Sequence, residues 1–133
     1  MIYDNYYVAK SQGRAPWDDW VREGMTYIVF QDRYPVTQGH LLFIPKNIDP
    51  VSMMSTLYEA WSAGNEMVSR GECDAFNIGM NMGEAAGQTI MYPHVHLIPR
   101  RKGDCEDPVG GVRGVIPGQA NYRKEGYRRV DSE

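Results

Sequence analysis

Gln88-Thr89-Ile90-Met91-Tyr92-Pro93-His94-Val95-His96-Leu97-Ile98-Pro99-Arg100 is the stretch on which the reading of this chain turns. Ile90, Met91, Val95, Leu97 and Ile98 are apolar and Pro99 closes the run, which predicts the last core strand over residues 88–99. Side chains two apart on a strand share a face, so Gln88, Tyr92, His94 and His96 are expected to point the same way. The chain has three histidines, and two of them lie in this run.

Working outward, residues 75–82 (Ala-Phe-Asn-Ile-Gly-Met-Asn-Met) alternate and predict another strand, joined to the first by a glycine-containing loop over 83–87. Asp49-Pro50 followed by residues 51–70 predicts the main helix, with Met53, Met54, Leu57, Ala60, Trp61, Gly64, Met67 and Val68 forming its core stripe and Gly71 ending it. Residues 25–30 and 40–45 predict two strands of a hairpin, separated by turn chemistry at 31–35. Residues 17–21 read as a short turn or strand and 1–16 as an irregular N-terminal arm. From Lys102 onward glycine, proline and charge dominate, which predicts an irregular tail over 102–133 with Arg113 as its notable cation. The order of elements gives an α+β fold, a mainly antiparallel sheet with one main helix, in a single domain over 1–133.

Composition narrows the class. The chain has 133 residues, 42% hydrophobic and 23% charged, as expected of one ordinary globular domain. No apolar run approaches the roughly 20 residues needed to cross a bilayer, and Met1-Ile2-Tyr3-Asp4-Asn5 lacks the order of a signal peptide, so a cytoplasmic protein without a membrane partner is expected. Cys73 and Cys105 belong to no metal-binding spacing and are expected not to pair. A net charge of −3 argues against a nucleic-acid partner, although Arg100-Arg101-Lys102 is a local basic cluster suited to a small phosphorylated ligand.

The paired histidines support three readings: hydrogen-bonded core residues, a three-imidazole zinc site completed by His40, or a nucleophile acting on phosphorus. Neutral donors surround the pair. Gln88 and Asn81 offer amides, the loop glycines let backbone N–H groups approach a phosphate, and no acidic residue lies between Gly87 and Gly103 to serve as the acceptor a zinc-bound imidazole needs.

The run Asn81-x-Gly83-x-x-Ala86-Gly87-Gln88-Thr89-Ile90-x-Tyr92-x-His94-Val95-His96-Leu97-Ile98-Pro99-Arg100 resembles the signature of the histidine triad superfamily of nucleotide hydrolases and transferases. Asp32-x-x-Pro35-x-x-x-Gly39-His40-x-Leu42-x-Ile44-Pro45-Lys46 is similar to that family's second hallmark. The resemblance implies a HIT-like fold, a homodimer, a purine nucleotide substrate and cleavage at the α-phosphate through a nucleotidyl-histidine. It implies His94 as nucleophile, His96 at the phosphate or leaving-group oxygens, and His40 as support. It implies Gln88, Asn81, Asp32, Thr89, Tyr92 and Arg100 as substrate-binding residues, and an apolar base wall around Tyr27, Ile28 and Val29. Tyr92 departs from the pattern by standing where the first histidine of the triad is expected, so the contact that orients His94 should come from the Tyr92 backbone carbonyl, and Pro93 should make the strand pairing irregular. The basic run after Pro99 resembles the diadenosine-polyphosphate hydrolases. A purine nucleoside phosphoramidase, a catalytically weak nucleotide-binding protein and a zinc hydrolase using His40, His94 and His96 are the alternatives. No resident metal is expected; Mg2+ could accompany a polyphosphate substrate.

Overall fold

The computed structural model describes residues 4–130, so the ends of the expected arm and tail, 1–3 and 131–133, lie outside the described residues. The chain divides into two compact units, Met1–Arg100 and Arg101–Glu133. The first carries a short helix α1 (Tyr6–Ser11), strands β1 (Trp20–Glu23), β2 (Tyr27–Gln31) and β3 (Leu41–Pro45), the main helix α2 (Pro50–Ser69), and strands β4 (Ala75–Gly79) and β5 (Val95–Arg100). The five strands form one antiparallel sheet in the order β1-β2-β3-β5-β4. This is an α+β architecture with one main helix.

Period two sorts the strands onto two faces. Val29, Phe43, Val95 and Leu97 pack with Ala60 and Ala63 of α2. Ile28, Phe30, Leu42 and Ile44 point the other way and pack with Tyr6, Ala9, Ala15, Trp17 and Tyr92. The N-terminal arm is therefore more ordered than its composition indicated. Asn5 caps α1 by accepting from the Val8 N–H at 2.9 Å, and Tyr6 supplies the apolar anchor that docks the helix on the sheet.

Helix α2 begins where Asp49 accepts the Ser52 N–H at 2.9 Å, with Pro50 at the first helical position. It ends in a Schellman arrangement: Gly71 has φ +74, its N–H reaches the Val68 carbonyl, and the Glu72 N–H reaches that of Met67. The expected core stripe is corrected. The buried positions are Ser52, Thr56, Ala60, Ala63 and Gly64, whereas Met54, Trp61 and Val68 are exposed. Close approach explains the choice of small residues, because a Cβ on Gly64 would sit 2.6 Å from the Phe76 ring of β4. Val51, Met54, Tyr58, Trp61 and Val68 then make a second apolar stripe on the outer side.

Two strands are shorter than expected. β4 ends at Gly79, and β5 starts at Val95, so residues 88–94 form no ladder. Pairing of β3 with β5 stops at Phe43↔Val95, next to Pro93, which has no N–H to continue it. The second unit contains a 3-10 turn at Gly111–Val115, where Arg113 donates to the carbonyls of Ala120 and Gln119 and to the Tyr127 hydroxyl. No disulfide joins Cys73 and Cys105, and no helix among the described residues is long and apolar enough to cross a membrane.

Candidate active site

His94 is placed by the irregular segment just before β5. Its Nδ1 lies 2.8 Å from the Tyr92 carbonyl oxygen, and a carbonyl can only accept, so the imidazole hydrogen sits on Nδ1 and Nε2 presents a lone pair. The ring is 8% exposed and packs against the Trp17 indole, with centroids 5.1 Å apart. Reach and orientation are thereby fixed from two sides.

Tyr92 does not line the cavity. It is 1% exposed, and its hydroxyl donates to the Pro45 carbonyl at 2.6 Å, at the end of β3. Burial raises the phenol's pKa well above its ordinary range, so the hydroxyl is a donor at physiological pH. The expectation of Tyr92 as a substrate-binding side chain is corrected: its phenol anchors the peptide whose carbonyl holds His94.

His40, the residue just before β3, faces His96 of the paired strand β5. The Val36 N–H donates to His40 Nδ1 at 3.2 Å, which leaves the His40 hydrogen on Nε2, directed at His96 Nδ1 2.9 Å away. His96 must then carry its own hydrogen on Nε2. Two imidazoles of identical chemistry are thus given opposite polarity toward the cavity, a lone pair from His94 and a donor from His96. Burial lowers the pKa of His40, and burial followed by the neighbouring His94 and His40 lowers that of His96 to about 4. Both are neutral at physiological pH. Asp32 Oδ2 lies 3.5 Å from His40 Nε2 and 4.0 Å from His96 Nδ1, and its Oδ1 accepts the Tyr34 N–H at 2.7 Å.

These groups open on a cavity of about 390 Å³ whose lining includes Asp32, Asn81, Gly87, Thr89, His94 and His96. Its apolar wall is Pro16, Trp17, Leu42 and Ile90. The expected wall at Tyr27, Ile28 and Val29 is corrected, since Tyr27 and Val29 face α2 and Ile28 is core on the other side. Trp17, expected only to begin a short turn or strand, is a wall of the site; the one signal in the sequence was a large aromatic beside Pro16, outside any periodic segment.

Two further expectations fail for local reasons. Gln88 is buried with its amide engaged in the loop: Oε1 accepts the Gly83 N–H at 2.7 Å, and Nε2 donates to the Ile90 and Met91 carbonyls at 3.1 and 3.0 Å. The N–H groups of Ala86, Gly87 and Gln88 also bond within the loop. Gln88 therefore shapes the turn, and Asn81, Thr89 and His96 are among the neutral donors that line the cavity. Arg100 is not in the lining. It lies four residues beyond His96, roughly 13 Å along the strand, where Nη1 donates to Asn77 Oδ1 at 2.8 Å.

Among the described residues, Asp32, His40 and His96 are the group whose ligand atoms cluster closely enough for a metal, all within 4.8 Å, and His94 is not part of it. The set fits a metal poorly as it stands, because the Val36 N–H keeps the His40 Nε2 position protonated and a metal needs that lone pair.

A family model described as the HIT domain matches residues 18–103. Adenylylsulfatase HINT3 of Arabidopsis thaliana is 35% identical over 81 residues, 56% of this chain and 41% of that protein. The asymmetrical bis(5'-nucleosyl)-tetraphosphatase of Schizosaccharomyces pombe is 33% identical over 85 residues, 59% of this chain and 47% of that one. The match therefore spans about half the length of these curated relatives. Among solved structures, a zinc-bound histidine triad family protein from Mycobacterium smegmatis superposes with a TM-score of 0.63 at 28% identity, covering 76% of this chain and 78% of the other.

Proposed function

The chain belongs to the HIT-domain family, and from that premise we propose that it is a nucleotide hydrolase that cleaves at the α-phosphorus of a purine nucleotide by way of a nucleotidyl-histidine on His94. The observation that carries this reading is the 2.8 Å contact of His94 Nδ1 with the Tyr92 carbonyl, which leaves Nε2 as a lone pair at the cavity.

In the first step His94 Nε2 attacks the α-phosphorus, a P–N bond forms, and the bond from phosphorus to the leaving group breaks with its electron pair going to that group. His96 Nε2–H lies on the same face and donates to the oxygens on which negative charge gathers, with Asn81 and Thr89 as further donors. Its donor role is fixed by His40 through the 2.9 Å bond, so His40 acts as a positioning residue. Water then attacks phosphorus: a P–O bond forms as the water's proton is released to solvent, and the P–N bond breaks with its electron pair returning to Nε2, which restores the neutral imidazole. Asp32 is assigned to the ribose hydroxyls, and the base is assigned to the wall of Trp17, Leu42 and Ile90. Each stabilising group belongs to the chain, so no resident metal is proposed; a magnesium ion enters, if at all, with a polyphosphate substrate.

The substrate class proposed is a purine nucleotide joined through its α-phosphate to a second anionic group, as in dinucleoside polyphosphates. Names of relatives at 33–35% identity support it, one a tetraphosphatase and one an adenylylsulfatase. We also assign a homodimer, on the apolar stripe of Val51, Met54, Tyr58, Trp61 and Val68 that α2 leaves uncovered, and a cytosolic location.

The test is incubation with diadenosine tetraphosphate, adenylyl sulfate and an adenosine phosphoramidate, with release of AMP followed chromatographically. Turnover of at least one by the wild type, abolished by His94→Ala, is expected. A protein that binds AMP and turns over none of the three, or a His94→Ala variant with full activity, would overturn the proposal.

A further inference from the structure

The mouth of the cavity is spanned by an ion pair. Arg33 follows β2, Asp18 precedes β1, both line the cavity, and Arg33 Nη2 lies 3.1 Å from Asp18 Oδ2 with the two side chains 59% and 68% exposed. They therefore link, at the solvent edge, the wall that carries Trp17 to the turn that carries Asp32. Such an exposed pair is weakly held and readily exchanged.

The electrostatics of the lining give Arg33 particular weight. Among the described residues that line the cavity, it is the one with a permanent positive charge, against the carboxylates of Asp18 and Asp32. His96 does not supply charge, because burial keeps it neutral at physiological pH. A ligand with a single phosphate can be met by the neutral donors His96, Asn81 and Thr89. A ligand that carries a second anionic group beyond the α-phosphorus adds charge to a site already holding two carboxylates, and the guanidinium fork is the group there that matches a tetrahedral oxyanion.

We propose that Arg33 is the leaving-group selector of this site: it exchanges Asp18 for the anionic phosphate or sulfate attached to the α-phosphorus, and so favours phosphoanhydrides over phosphoramidates with neutral amine leaving groups. Asp18 is its resting partner and keeps the guanidinium aimed across the mouth. This rests on the nucleotide-hydrolase reading above and adds to it the class of group that departs.

Equilibrium binding separates the two. The probes are AMP and α,β-methylene ADP; the second adds one anionic group, and its methylene bridge resists hydrolysis. The wild type should hold α,β-methylene ADP about tenfold tighter than AMP, the scale of one charge-assisted contact. Arg33→Gln should bring that ratio close to one, and Asp18→Asn, which releases Arg33, should raise it. A ratio near one in the wild type, or a ratio unchanged in Arg33→Gln, would overturn the selector role while leaving the nucleotide reading intact. Binding of neither probe would overturn the nucleotide reading, and the selector with it.

Discussion

Tyr92→Phe tests whether the phenol that replaces the first triad histidine works through the backbone. The substitution removes one oxygen and keeps the ring, so the edge-on packing against Tyr6 and Trp17, each with centroids 6.4 Å away, is retained. What is lost is the 2.6 Å bond to the Pro45 carbonyl at a residue that is 1% exposed. A buried carbonyl deprived of a donor costs about 1–3 kcal/mol, so a loss of about 2 kcal/mol is expected. For a domain of this size that corresponds to a fall in Tm of roughly 6–10 °C. Urea unfolding followed by tryptophan fluorescence measures it, with Trp20 and Trp61 replaced by Phe so that the signal comes from the Trp17 indole that packs on Tyr92 and His94. The functional effect should be separate in kind: with the Tyr92 peptide less firmly anchored, the carbonyl that aims His94 wanders, and kcat should drop about tenfold while KM changes little. A variant as stable as the wild type with undiminished kcat would refute the anchoring role.

Other expected outcomes follow from the same geometry. His96 titrates at about 4 in the fold against an ordinary value of 6.5, so the unfolded chain binds more protons between these values. Its contribution to stability is complete above pH 6.5 and declines as pH falls toward 4, by about 3 kcal/mol in all; unfolding free energies measured across that window should show the decline, and a flat profile would contradict the assigned burial. Gln88→Ala removes the amide that joins Gly83 to Ile90 and Met91 and should loosen the loop, raising amide exchange over 83–91 and weakening AMP binding severalfold; unchanged exchange would restore Gln88 to the role of a direct phosphate donor. Trp61→Glu places a charge in the exposed stripe of α2 and should give a folded monomer by sedimentation, whereas an unaltered dimer would move the interface elsewhere.

Much of this architecture is legible from patterning, because it rests on period. β2, β3 and α2 appear where the sequence places them, and the two histidines of the His-x-His pair do serve one face of the sheet. The failures have a common cause in contacts distant along the chain. Nothing local states that residues 88–94 leave the ladder, or that the Gln88 amide turns back on its own loop. The bounds of α2 are legible, but the stripe that meets the sheet is not: it is Ser52, Thr56, Ala60, Ala63 and Gly64, and at Gly64 the Phe76 ring leaves no room for a side chain. Trp17 lies outside every periodic segment, and only the folded arm brings its ring to His94. The tautomers of His40 and His96 likewise depend on the Val36 N–H, a single backbone donor that no motif records.

The mechanism requires that His94 become covalently attached to the nucleotide. It is tested most directly by mixing enzyme with a dinucleoside polyphosphate for one turnover, quenching in alkali to preserve the acid-labile P–N bond, and mapping peptides by mass spectrometry. A nucleotidyl group is expected on the peptide containing His94, forming and decaying at rates that match turnover and missing from His94→Ala. Turnover with no adduct, or an adduct on His96, would contradict it.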